Sequence, residues 1–120
     1  MKPFTEALRY DYQITKDGLV LDAGFYHGLF ARGILEKHGC RVVAFEPVKK
    51  FREIGLANIP ERLRDRLTLL DYGLGAWTRE EKFGIKGDMT GLYTEGDRET
   101  VTIREVVDVF KDLGIRHADL

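Results

Sequence analysis

At 120 residues, the sequence is short enough that we expect one domain spanning residues 1–120. Its 19 basic and 20 acidic side chains give a net charge of −1, which lacks the basic excess of nucleic-acid-binding domains. Cys40 is the single cysteine, so an internal disulfide is excluded and a reducing, cytoplasmic setting is expected. No apolar run approaches the roughly 20 residues of a membrane span, and no signal peptide is recognised at the N-terminus. We therefore expect neither nucleic-acid nor membrane partners.

An apolar run ends in an acid and is followed by two glycines four residues apart. Leu19–Asp22 shows no polar alternation, which predicts a strand covered on both faces. Gly24 and Gly28 then predict a tight turn whose backbone can approach a ligand closely. Apolar residues recur at helical spacing after Gly28, predicting an amphipathic helix that ends at Gly39.

A second apolar run, Arg41–Glu46, also ends in an acid. Pro47 follows it, at a position that suits the start of a helix. An acid after the second strand of a βαβ unit can bind a ribose diol through paired hydrogen bonds. The same acid could instead only favour the N-terminus of the following helix. The nicotinamide dinucleotide fingerprint is disfavoured, because the turn lacks the middle glycine of G-x-G-x-x-G.

A third strand is predicted over Leu67–Leu70, and three strands alternating with helices indicate an α/β fold with a parallel sheet. Asp71, Tyr72 and Gly73 follow as a turn that would border an adenine, with Asp71 accepting from its amino group, or would be a polar turn alone. A small antiparallel excursion is predicted near 80–103, with a loop at 87–91. Residues 115–120 read as the start of a fourth strand, so we expect the chain to be a fragment.

The last helix has a distinct predicted start. Thr102 and Glu105 have the spacing of a capping box, and Val101 and Val106 the spacing of a hydrophobic staple. The apolar residues of this helix recur at helical spacing and predict its buried face, which is made of Val106, Val107, Phe110 and Leu113.

The order of these motifs resembles that of the FkbM-type methyltransferases. The matching elements are V-L-D-x-G-x-x-x-G-L-F at 20–30, F-E-P at 45–47, Asn58, L-G at 74–75 and T-V-x-I at 100–103. Members of this family use S-adenosylmethionine to methylate hydroxyl groups of sugars and natural products. The resemblance implies a Rossmann-like class I methyltransferase fold, incomplete at its C-terminus, and a small-molecule or glycan acceptor. The residues it implies for cofactor binding are Asp22, Ala23, Gly24, Phe25, Tyr26, Gly28, Glu46, Pro47, Asp71, Tyr72 and Gly73.

The turn between the glycines departs from the family pattern. The family has a small residue, Asn and an aliphatic residue, whereas this chain has Phe25, Tyr26 and His27. A second hypothesis is therefore a non-catalytic remnant or interaction module, and a third is another nucleotide-binding α/β protein. An exposed sheet edge would favour homo-oligomers through strand addition.

No residue is assigned as a catalytic base, and the histidines show no metal-ligand spacing. In a longer chain, Asp119 would lie near the point where the strand order of the sheet reverses and could orient substrate. As the penultimate residue, it is expected to be frayed.

Overall fold

Two small sheets, one parallel and one mixed, organise the part of the chain that the structure describes. The structure is a computed structural model that describes residues 13–86, 89–91 and 98–120, with side chains described over 13–83 and 99–120. None of the helices in these ranges is long and apolar enough to cross a membrane.

The first sheet is parallel, with the strand order β1-β2-β3. Its strands are β1 (Leu19–Asp22), β2 (Arg41–Phe45) and β3 (Leu67–Leu70). The connecting helices are α1 (Leu29–His38) and α2 (Lys49–Asn58), and a 3-10 helix (Glu61–Arg66) precedes β3. The predicted α/β fold with a parallel sheet is confirmed.

The core of this sheet lies under α1. Ala31, Ile34 and Leu35 are buried against Val20 and Val42. The helix ends where the sequence predicts, because Gly39 adopts a φ of 63° and donates its N–H to Leu35 O over 3.0 Å. α1 therefore covers one face of the parallel sheet.

The second sheet has the order β4-β7-β5-β6. Its strands are β4 (Gly73–Gly75), β5 (Arg79–Lys86), β6 (Met89–Gly91) and β7 (Arg98–Glu105). β7 runs antiparallel to β5 and parallel to β4, and β5 runs antiparallel to β6. The predicted antiparallel excursion is thus confirmed. The predicted loop at 87–91 is wrong over 89–91, which form β6, while residues 87 and 88 lie outside the described residues.

The last helix, α3 (Val106–Leu113), begins later than its capping-box spacing predicts. Thr102 lies within β7, and Glu105 is the N-cap residue. The predicted buried face is also wrong, because Val107 is 53% exposed while Val109 is fully buried. Strand pairing overrides the local helix signal, since β7 pairs with β5 up to Ile103 and with β4 up to its last residue, Glu105.

The residues after α3 return to β1, on the edge opposite β2. Asp119 N donates to Leu19 O over 2.7 Å, and Leu21 N donates to Leu120 O over 2.8 Å. The Asp119 carboxylate also accepts from Leu19 N over 2.9 Å. Asp119 is therefore held at the amino end of β1, and the expectation that it is frayed is wrong. Its role in orienting substrate stays a prediction.

Candidate functional site

The ends of the three parallel strands are tied together at one edge of the sheet. After β1, Phe25 N donates to Phe45 O over 3.1 Å, and at the end of β2, Glu46 N donates to Leu70 O over 3.0 Å. A Cβ atom on Gly73 would lie 3.4 Å from Pro47 Cγ, so the loop after β3 packs closely on the loop after β2. The predicted site residues therefore lie on three adjacent loops at the carboxyl edge, which is where open α/β sheets bind ligands.

Glu46 links two of these loops through its carboxylate. Its Oε1 accepts from Tyr26 N over 2.9 Å, and its Oε2 accepts from Val48 N over 3.0 Å. The residue is only 3% exposed. Its charge is compensated by two backbone dipoles, so Glu46 holds the glycine turn against the start of α2.

Tyr26 occupies an unusual backbone position in the turn. Its φ of 53° lies in the left-handed region, which costs a non-glycine residue energy unless its surroundings hold it there. The Tyr26 ring stacks on Phe51 with centroids 4.8 Å apart, and the His27 ring meets Phe51 edge-on at 5.5 Å. Asn58 Nδ2 also donates to His27 O over 2.9 Å. Side chains of α2 therefore fix the shape of the turn.

A second contact between the turn and α2 is a close packing of backbone that depends on two glycines. A Cβ atom on Gly28 would lie 2.8 Å from Gly55 O, and one on Gly55 would lie 2.2 Å from Phe25 Cε2. The Phe25 side chain is buried in the core under α1. Any contact from Phe25 to a ligand would therefore come from its backbone.

The remaining predicted residues of the first loop differ in exposure. Asp22 ends β1 and is 8% exposed, whereas Ala23 and Gly24 are exposed. A Cβ atom on Gly24 would meet nothing closer than 4.0 Å, so space is open at this position.

Pro47 does not open a helix as predicted. α2 begins at Lys49, and Val48 is its N-cap residue, with an extended backbone (φ −89°, ψ 118°). Val48 donates its N–H to the Glu46 carboxylate in this extended conformation, so the helix starts two residues after Pro47.

The loop after β3 contributes one exposed and two covered residues. Asp71 is exposed, and the Tyr72 ring packs 5.9 Å from the Phe45 ring. The Arg104 guanidinium lies 4.9 Å from the centre of the Tyr72 ring. The pKa of Arg104 is raised because the Asp112 carboxylate accepts a hydrogen bond from it. Gly73 is buried and begins β4, where the sequence predicts a turn.

Arg52 is the site residue that sequence reasoning missed. Its Nη1 donates to Glu46 O and to Pro47 O, both over 2.8 Å. These bonds stabilise the loop after β2 from the first turn of α2. No local motif marks an arginine for this role, although its position in the first turn of the helix makes the reach possible.

Two cavities border the three loops. One, of about 290 Å³, is lined by Gly24, Phe25, Tyr26, His27, Leu29 and Phe30. The other, of about 420 Å³, lies between α2 and the end of β3 and is lined by Lys49, Arg52, Glu53, Leu56, Leu69, Leu70 and Asp71. Glu46 lines neither of them, and the described residues contain no group of three His, Cys, Asp or Glu side chains placed to hold a metal ion.

No protein-family model matches the chain, and no curated protein shows significant similarity to it. The fold and the site define an α/β protein in which hydrogen bonds and close packing join three loops at the carboxyl edge of a parallel sheet.

Proposed function

We propose that this chain is the cofactor-binding domain of an S-adenosylmethionine-dependent O-methyltransferase of the FkbM type. The observation that carries the proposal is the buried carboxylate of Glu46 at the end of β2, beside a glycine turn and next to the loop that carries Asp71. This placement suits a nucleoside whose ribose lies at Glu46 and whose adenine lies near Asp71.

The residues present fit such a cofactor, with one local adjustment. A carboxylate offers about four lone-pair sites, and each Glu46 oxygen has one amide donor in the contacts described above. Acceptor capacity therefore remains for two ribose hydroxyls. Because Glu46 is 3% exposed, a diol reaches it only when neighbouring atoms move aside.

The role of the chain's own residues would be positioning. When bound, S-adenosylmethionine would supply its sulfonium methyl group to an acceptor hydroxyl, whose proton would pass to water, and S-adenosylhomocysteine would be released. Glu46 and Asp71 would orient the nucleoside. Accurate alignment of the two reactants can supply much of the rate enhancement in such a transfer.

Calorimetric titration with S-adenosylhomocysteine tests the proposal. We expect saturable binding that Asp71→Ala weakens about fivefold, because one hydrogen bond contributes about 1 kcal/mol. Asp65→Ala is the matched control, since Asp65 is an exposed acid on the 3-10 helix. Glu46→Ala is unsuited to this purpose, because it would also remove the acceptor of two backbone amides.

Absence of binding by the folded protein would contradict the proposal, and so would an equal loss in both variants. Saturable binding of an adenine dinucleotide in place of S-adenosylhomocysteine would favour another nucleotide-binding α/β protein.

One observation favours a second candidate, an interaction module that keeps the fold without the chemistry. Both Glu46 oxygens already accept hydrogen bonds within the protein, and Phe25 fills the space under the turn. For such a module, millimolar S-adenosylhomocysteine would leave the melting temperature unchanged, whereas a ligand of the folded state raises it.

A further inference from the structure

The described residues that line the cavity beside the glycine turn carry no carboxylate, ammonium or guanidinium group. The volume of the cavity, about 290 Å³, suits one or two fused rings, and none of these six described residues is Asp, Glu, Lys or Arg. Small-molecule sites are typically apolar hollows with a few polar groups that fix orientation. Among these six residues, Tyr26 and His27 carry polar side chains.

Two large side chains of this lining are solvent-accessible. Tyr26 is 47% exposed and Leu29, the first residue of α1, is 60% exposed. The Tyr26 ring is held in place by Phe51, at an interplanar angle of 24°. Phe51 is not among the residues lining the cavity, so the stack supports Tyr26 from outside it. A ring that is already fixed loses little entropy when a second planar group packs against it.

The lining discriminates between the two acceptor classes that the proposed function leaves open. A sugar carries several hydroxyls, and each one that leaves water without a partner is penalised. The two polar side chains among the described lining residues offer fewer partners than a sugar has hydroxyls. A flat aromatic compound with one hydroxyl needs a single partner and gains from contact with Tyr26 and Leu29.

We propose that the cavity at Gly24–Phe30 binds an uncharged, planar aromatic alcohol, which is the methyl acceptor of this chain. The assignment as acceptor rests on the proposed function, whereas the binding of the compound does not. The cavity lies at the turn expected to hold the methyl donor, so the hydroxyl would be delivered next to it.

The test is a titration of the full chain with 1-naphthol, and in parallel with methyl glucoside, followed by calorimetry. For a ligand of this size we expect a naphthol dissociation constant of about 0.1–5 mM. We expect no saturable binding of the glucoside at the same concentrations. Tighter or equal binding of the glucoside would overturn the proposal.

Two variants at solvent-accessible positions locate the binding. Tyr26→Gly removes the ring at a positive φ that glycine adopts freely, and Leu29→Asp places an acid at a helix N-terminus, where it is favourable. Each should weaken naphthol binding about tenfold or more, by loss of aromatic contact or by desolvation of a charge. Val107→Asp is the control, because Val107 is similarly exposed in the first turn of α3. An equal loss in the control would overturn the proposal.

Competition separates this proposal from the proposed function. S-adenosylhomocysteine should bind Leu29→Asp as it binds the unaltered chain, and it should not displace naphthol. Displacement would show that the cavity belongs to the cofactor and would overturn the acceptor assignment. Naphthol binding by a chain that does not bind S-adenosylhomocysteine would also overturn it, while leaving the aromatic site in place.

Discussion

At the scale of single residues, two glycines of the same helix serve different purposes. Gly28 and Gly39 flank α1 with φ values of 77° and 63°. A Cβ atom on Gly39 would meet nothing within 4 Å, whereas one on Gly28 would lie 2.8 Å from Gly55 O. Gly39 is needed for backbone conformation alone, and Gly28 for conformation and for the close approach of α2.

Alanine at each position separates the two requirements. Gly39→Ala should destabilise the fold by about 1–2 kcal/mol, the cost of a left-handed alanine. Gly28→Ala should cost about 1–3 kcal/mol more, because backbone must move to admit the methyl group. Urea unfolding of both variants measures the difference. Equal losses would mean that the turn and α2 are not in contact.

Glu46 shows how far the site could be predicted from single residues. Its position after an apolar run and before Pro47 was enough to predict an acid at the carboxyl edge of the sheet. The sequence gives no sign that both oxygens accept from backbone amides, because one donor, Tyr26, is twenty residues away and reaches it only through the folded turn. The ligand contacts assigned to Glu46 and Asp71 remain predictions.

Among the helices and strands, the start of α3 shows a conflict between a local sequence signal for a helix cap and the long-range pairing of β7 as a strand. Thr102 and Glu105 satisfy a capping-box spacing, but Val101 and Ile103 are buried at strand spacing against Val48 and Phe51. Thr102 therefore lies in the strand, and Glu105 is the N-cap residue. The Glu105 carboxylate accepts hydrogen bonds from the amides of Val107 and Asp108 in the first helical turn.

Substitution at the two candidate caps distinguishes these starts. Glu105→Ala should destabilise the fold by about 1 kcal/mol, as loss of an N-cap side chain usually does. Thr102→Val keeps the branched shape that suits a strand, so we expect a change within about 0.5 kcal/mol. Thermal unfolding of both variants is the measurement. A larger loss of stability for Thr102→Val than for Glu105→Ala would indicate that Thr102 caps the helix, as the capping-box spacing predicts.

The elements that sequence predicts well are those with a long local signal. β1, β2, β3 and α1 are apolar runs or periodic segments bounded by glycine or acids, and all four are confirmed. β4 is missed because Gly73–Gly75 has three residues, two of them glycines, and becomes a strand only by pairing with β7. Tertiary pairing of this kind leaves no pattern in the strand itself.

At the scale of the whole molecule, Asp119 connects the last residues to the first strand. Its carboxylate accepts from Leu19 N, and this bond lowers the pKa of Asp119 below its ordinary value. His117 faces the same carboxylate at 3.4 Å and also favours its charged form. A lowered pKa in the folded state means that the contribution to stability is present above the unfolded pKa, about 3.9. It is lost as the pH falls through the lower folded value.

The pH dependence of melting should therefore differ between the natural chain and Asp119→Asn. The asparagine oxygen can still accept from Leu19 N but carries no charge. We expect the melting temperature of the unaltered chain to be higher than that of Asp119→Asn at pH 6. The difference between the two melting temperatures should become smaller as the pH falls below about 4. Melting curves from pH 6 to pH 2.5 give the comparison. A gap that stays constant would show that ionisation of Asp119 does not contribute.

The bond between Leu19 and Asp119 joins residues one hundred positions apart, and this has a consequence for biosynthesis. A ribosome adds residues from the N-terminus, at about 5–20 per second. The strands of the parallel sheet are all made by residue 70, whereas the partners of the outer edge of β1, among the residues that the structure describes, are residues 119 and 120. For some seconds of synthesis, a growing chain thus presents an open strand edge, which nascent chains on neighbouring ribosomes could pair with.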